Sequence, residues 1–282
     1  MSIIPMLVVP ALFLGLLALL LPLLIGTGER DLAWVSGMDV VPADEAEVYR
    51  RYLNRHRRHR IVGGLFGAAL AVVVGIRSPS RVQLIGAGDG SPLGDVYFCV
   101  LMGIIVGALL AETYRLRQAR GTVASASLAP REPIGLPGVV RAARIVSGAG
   151  LVWGLGAVLF WSGSDMGSLL VAVVGLLPVL LAEATRAAVT HRRRPVDSQR
   201  ALHVDGRIRA FAGRTTSWLQ LAAATLVTTW VVALTPTREG SVLEGLLILP
   251  VLAGLVVAVV VLRRASPRPP RRWQPASLVE VA

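Results

Sequence analysis

The sequence predicts an all-α fold, a polytopic transmembrane bundle of about seven helices, and three observations predict it. The chain is 54% hydrophobic with a mean hydropathy of +0.64 and only 16% charged residues. Soluble domains carry roughly 25% charged residues, so lipid must cover part of this apolar surface. Seven apolar runs approach the length that crosses a bilayer. The arginines, finally, alternate between the segments joining those runs.

The runs cover 3–25, 61–76, 96–111, 145–161, 166–182, 218–234 and 245–262. A spanning helix needs roughly 20 apolar residues, with a lower limit near 17. The first and last runs meet this outright. The second and third are short and need flanking residues such as Tyr97 and Tyr114 to complete them. The first run is too long for a secretory leader, and no charge precedes Glu29, so a retained helix is expected.

All 29 basic residues are arginine. With the abundant Ala, Gly, Val and Leu, this suggests the coding bias of a GC-rich genome, such as an actinobacterial one. Segments 27–60, 112–144, 183–217 and the tail after Leu262 hold 26 of the arginines, and the intervening loops hold only Arg77, Arg81 and Arg238. Cytoplasmic loops are enriched in Lys and Arg, so the expected topology is N-out and C-in, in the cell membrane. A net charge of +12 otherwise suggests nucleic acid, but clustering beside apolar runs points to lipid, and no nucleic-acid partner is expected. The domain plan is a transmembrane unit over 1–264 and a disordered Pro/Arg-rich cytoplasmic tail over 265–282.

Two hairpins look alike. Arg60-Ile-Val-Gly-Gly64 opens the second run, and Arg144-Ile-Val-Ser-Gly148 opens the fourth. Leu109-Leu-Ala-Glu112 closes the third run with Arg115 three residues on, and Leu180-Leu-Ala-Glu183 closes the fifth with Arg186 three residues on. The plan is one N-terminal helix plus three hairpins, the first two repeat-like and the third diverged. Each repeat starts and ends on the same side, unlike the inverted repeats of many secondary transporters.

Three sets of residues stand out. Glu112 with Arg115, and Glu183 with Arg186, sit three apart, where helix side chains meet. They read as ion pairs anchoring helix ends at the cytoplasmic face, or as a charged ring that docks a partner. Small residues at Gly63, Gly67, Ala71 and Gly75, at Gly103 and Gly107, and at Gly150 and Gly154 recur every fourth position. Such faces let helices pack closely in lipid. Segment 42–60 reads as a cytoplasmic helix: Asp44, Glu45 and Glu47 begin it, arginines end it, and Val48, Tyr49, Tyr52 and Leu53 form an apolar stripe. Arg50, Arg51, Arg55, Arg57, Arg58 and Arg60 would touch anionic lipid or a protein partner, or simply enforce topology.

Other chemistries lack their residues. No P-loop or paired Gly-rich signature appears. His56 and His59 have no carboxylate or thiol near them in sequence for a metal, and Cys99 is alone. Asp205-Gly206 followed by Arg209 resembles the opening of the CDP-alcohol phosphotransferase motif, but the later spaced aspartates are missing. No carboxylate lies in mid-span to couple transport to protons or cations, and no lysine is present to hold retinal. No cofactor is expected. The expected role is a non-enzymatic subunit, scaffold or regulator of a membrane complex. The alternative is a permease-like component for a small or apolar solute, paired with a separate ATPase.

Overall fold

A computed structural model describes residues 26–77, 93–113, 134–160, 166–191, 199–235 and 242–269. The expected first span, 3–25, lies outside the described residues, as do Arg115 and most of the tail. The order is α1 (Glu29–Ser36), α2 (Ala43–Arg77), α3 (Leu93–Thr113), α4 (Pro137–Phe160), α5 (Gly167–Val174), α6 (Leu176–His191), α7 (Gln199–Ala233) and α8 (Val242–Arg264). No strand occurs among the described residues.

Among the described residues, five helices are long and apolar enough to cross a membrane: α3, α4, α5 continuing into α6, α7 and α8. Run 61–76 forms the second half of α2, where Arg60 and Arg77 confine it to a short apolar stretch. The helices also overrun the apolar runs at the arginine-rich end. Helix α4 begins at Pro137 and α7 at Gln199, well ahead of 145 and 218. Hydropathy marks the part of a helix that lipid can cover, whereas backbone hydrogen bonding continues through charged turns.

This overrun shapes the fold. Helices α2 and α7 each have 35 residues, and at about 1.5 Å per residue each is about 52 Å long. The hydrocarbon core of a bilayer is only about 30 Å thick. Their arginine-rich halves therefore extend past it, and α1 packs across them. Leu32, Val35, Ala46, Tyr49, Tyr52, Leu53, Val204 and Ile208 make a separate apolar core there, with Trp34 and Phe211 at its edge. Trp34 and Tyr52 both meet Phe211 edge-on, at 5.2 and 5.9 Å between ring centroids. Helix α1 is capped by the Gly28 N–H donating to Asp31 at 3.0 Å and ends at Gly37, whose φ of 67° suits glycine.

The main core centres on α7. Leu219, Ala222, Ala223, Ala224 and Leu226 are fully buried against Phe98, Ile105 and Leu109 of α3, Val179 and Ala182 of α6, and Leu255 and Ala258 of α8. The run of alanines keeps α7 thin enough for several helices to approach. Phe98 stacks on Trp230 at 5.0 Å. Helices α5 and α6 are parted only at Gly175. Pro178 explains the break, since it has no N–H for the Val174 carbonyl four residues back and its ring crowds that carbonyl.

Candidate functional site

The small-residue positions set the geometry of the arginine-rich end. A Cβ on Gly63 would strike the carbonyl oxygen of Gly103, one on Gly67 that of Cys99, and one on Gly107 that of His59. Helices α2 and α3 thus run antiparallel, backbone against backbone. Gly150 instead packs on Thr228 of α7, and Gly154 on Ala172 and the Ser168 carbonyl of α5. The side-chain environment of position 75 lies outside the described residues.

Extending the α2–α3 register by two turns brings Glu112 opposite Tyr52 and His56. The Tyr52 hydroxyl donates to Glu112 Oε1 at 2.5 Å, and His56 Nε2 lies 2.6 Å from the same oxygen. All three side chains are buried. An ionised carboxylate only accepts, so Nε2 carries the proton of that bond. His56 Nδ1 is buried and has no partner. The Arg55 guanidinium lies 5.6 Å over the Tyr52 ring. Burial, reinforced by the Glu112 charge, holds the Tyr52 hydroxyl well above the ordinary tyrosine range, so it stays a donor.

The second hairpin has a related junction. Glu183 accepts from Arg144 at 2.9 Å, from Gln220 at 2.8 Å and from Arg186. Arg186 also donates to Gln220 Oε1 at 3.3 Å. In sequence, Arg144 corresponds to Arg60 and Glu183 to Glu112. The second hairpin closes with arginine on glutamate. In the first, Tyr52 and His56 take the glutamate about one turn earlier, and Arg60 donates to the carbonyl of Ala265 at the end of α8.

The remaining arginines of segment 42–60 divide. Arg50 and Arg51 pair with the exposed Glu47 at 3.0 and 2.7 Å. Arg57 is buried, paired with Asp31 at 2.8 Å and donating to the carbonyls of Pro267, at 3.1 Å, and Gly26. Arg58 is exposed. The first residues of the predicted tail, at Ala265 and Pro267, are therefore held against α2. Arg200 bonds Glu45 and, at 3.1 Å, Asp44, joining the starts of α7 and α2.

Tyr52, His56, Arg144 and Gln220 are the participants that sequence spacing did not single out. Tyr52 reads as part of an apolar stripe and His56 as half of a histidine pair. The glycine register is the signal that would have found both. Among the described residues no three metal-ligating side chains converge.

The tyrosines carry a pH signature. Burial, and next the Glu45 charge, push Tyr49 up to about 12. A raised folded-state value means stability is complete below the ordinary tyrosine value near 10 and falls as pH climbs toward about 12. Unfolding followed by circular dichroism in detergent is expected to show this alkaline loss, and Tyr49→Phe to reduce it.

The chain matches no protein-family model, no curated protein and no solved structure.

Proposed function

We propose that the chain is a non-enzymatic component of a complex in the cell membrane, and that α1 with the arginine-rich halves of α2 and α7 forms its docking platform. The arginine asymmetry supports placing this platform in the cytoplasm. The observation that carries the reading is the separate apolar core outside the spanning segments. A chain that needed only topology signals would not require ordered, packed helices there.

The two repeated glutamates support it further. Glu112 is closed off by Tyr52 and His56, and Glu183 by two arginines and Gln220. Each ties helices together and none is poised over an open space as an acid or base would be. The exposed arginines Arg50 and Arg51 would give the platform its partner-facing charge.

Gentle extraction of the full chain from its native membrane, followed by mass spectrometry, tests the proposal. A stoichiometric partner is expected, lost with R50E/R51E while the melting temperature holds. Reconstituted pure protein is expected to pass no solute. Solute flux from the chain in liposomes would overturn the docking role in favour of a permease component.

A further inference from the structure

Within its apolar half, α2 packs against α3 alone among the described residues. That contact takes the side of α2 that carries Gly63, Gly67 and the fully buried Ala71. On the side turned away from α3, Val62, Phe66, Leu70 and Val73 are exposed, and Ala69 is exposed among them. These positions follow helical spacing, so they form one continuous face. Helix α7, by contrast, is enclosed by α3, α4, α5, α6 and α8.

The contacts of Arg57 say what lies beside that face. Arg57 stands one turn ahead of Ile61, where the apolar half of α2 begins. It is buried, pairs with Asp31 of α1 at 2.8 Å and donates to the carbonyl of Gly26. Gly26 directly follows the apolar run 3–25, and only Gly26, Thr27 and Gly28 separate that run from α1. Three residues reach at most about 11 Å. Helix α1 rests on α2 and α7, and of these two only α2 has an uncovered side in the apolar layer. The run is thus tethered, by a buried ion pair and a backbone hydrogen bond, at the head of the uncovered face.

We infer that the run 3–25 of this same chain is the occupant of the α2 face opposite α3, lying antiparallel to α2. The run has 23 residues and no charge, and as a helix it would be about 34 Å long, enough to cross a hydrocarbon core of about 30 Å and to cover the apolar half of α2 from end to end. Helices associate in lipid through small residues that let their backbones approach. Ala11, Gly15 and Ala18 recur at helical spacing in the run, and Ala69 offers a small position on the α2 face. The packing is independent of the docking role of the arginine-rich end.

Disulfide cross-linking of the full chain in its native membrane tests this, in a C99A background that removes the one natural cysteine. Gly26 lies level with Arg57, so in an antiparallel pair Leu14, twelve residues before Gly26, comes level with Ala69, twelve after Arg57. A single cysteine is placed at each of positions 11–21 in turn and combined with A69C, or with V256C on the exposed face of α8 or V152C on that of α4. After mild oxidation and maleimide labelling, intact mass separates cross-linked chains, which take no label, from open ones, which take two. With A69C, cross-linking is expected to peak within a turn of Leu14, to recur on one helical face, and to exceed the V152C background about tenfold, since a disulfide needs the two Cβ atoms about 4 Å apart. A maximum with V256C would overturn the inference in favour of α8. Yields with A69C no higher than with V152C would overturn it and leave the face to lipid. Cross-linked protein at twice the mass of the chain would overturn it and assign the face to a second copy.

Discussion

Gly63→Leu or Gly103→Leu is expected to abolish the folded protein, and Gly148→Leu to leave it intact. All three enlarge a glycine inside an apolar helix, so hydropathy and helix propensity change in the same direction in each. The difference lies in what the new side chain meets. At Gly63 and Gly103 the first added carbon runs into the carbonyl oxygen of the other position, and backbone cannot swing aside as a side chain can. At Gly148 no atom lies within 4 Å of an added Cβ. Overpacking typically costs about 1–3 kcal/mol where side chains repack. A backbone clash forces α2 off α3 and separates Glu112 from Tyr52 and His56, so the loss should exceed that range. Yield of monodisperse protein after extraction, with thermal unfolding of what survives, reads this directly. A G63L variant that folds like G148L would refute the close α2–α3 approach.

Glu112→Ala should be the most damaging single change among the charged residues. It removes one buried acceptor and leaves two buried donors, Tyr52 and His56, without a partner. Breaking a buried charged contact on one side only destabilises by about 3–5 kcal/mol. Tyr52→Phe removes one donor and leaves Glu112 held by His56, so about 1.5–3 kcal/mol is expected. The double variant should be less destabilised than the two single losses added together, because the two groups share one bond. Glu183→Ala should be milder, since Glu183 and its arginines are partly exposed and water can replace the contact. Equal losses at the two glutamates would mean that the Glu112 junction is not sealed as described.

The helical, apolar character of the chain could be read from composition and run length because lipid exposure depends on local side-chain chemistry. The approach of α2 to α3 was visible as a fourfold glycine spacing, since close packing demands small residues at that period. The packed cluster of α1 with the arginine-rich halves of α2 and α7 was not visible. Its α7 contribution, Val204, Ile208 and Phe211, is interrupted by Asp205, Gly206, Arg207 and Arg209, and the whole stretch reads as a charged connecting loop. Gly206 and Arg207 are tolerated because they are exposed, and the buried Arg209 is satisfied by Asp205 one turn back at 2.6 Å and by the Val189 carbonyl at 3.4 Å. The Glu112 junction joins residues about sixty apart, and the nearer Arg115 drew attention to a local pair. Burial, which decides whether a glutamate is an anchor or a surface charge, arises from contacts between hairpins and leaves no local trace.

Helices α2 and α7 have no break where they leave the apolar layer. Helix α7, which is long and apolar enough to cross a membrane, is a lever with one apolar arm and one arginine-rich arm. Roughly 28 Å of α7 lies ahead of its apolar run, so a tilt of about 10° within a bilayer would sweep its tip through roughly 5 Å. Bilayer thickness sets such tilts. A contact that fixed the outer arm would therefore shift the membrane thickness preferred around the inner one, and thickness would shift the strength of that contact by the same factor.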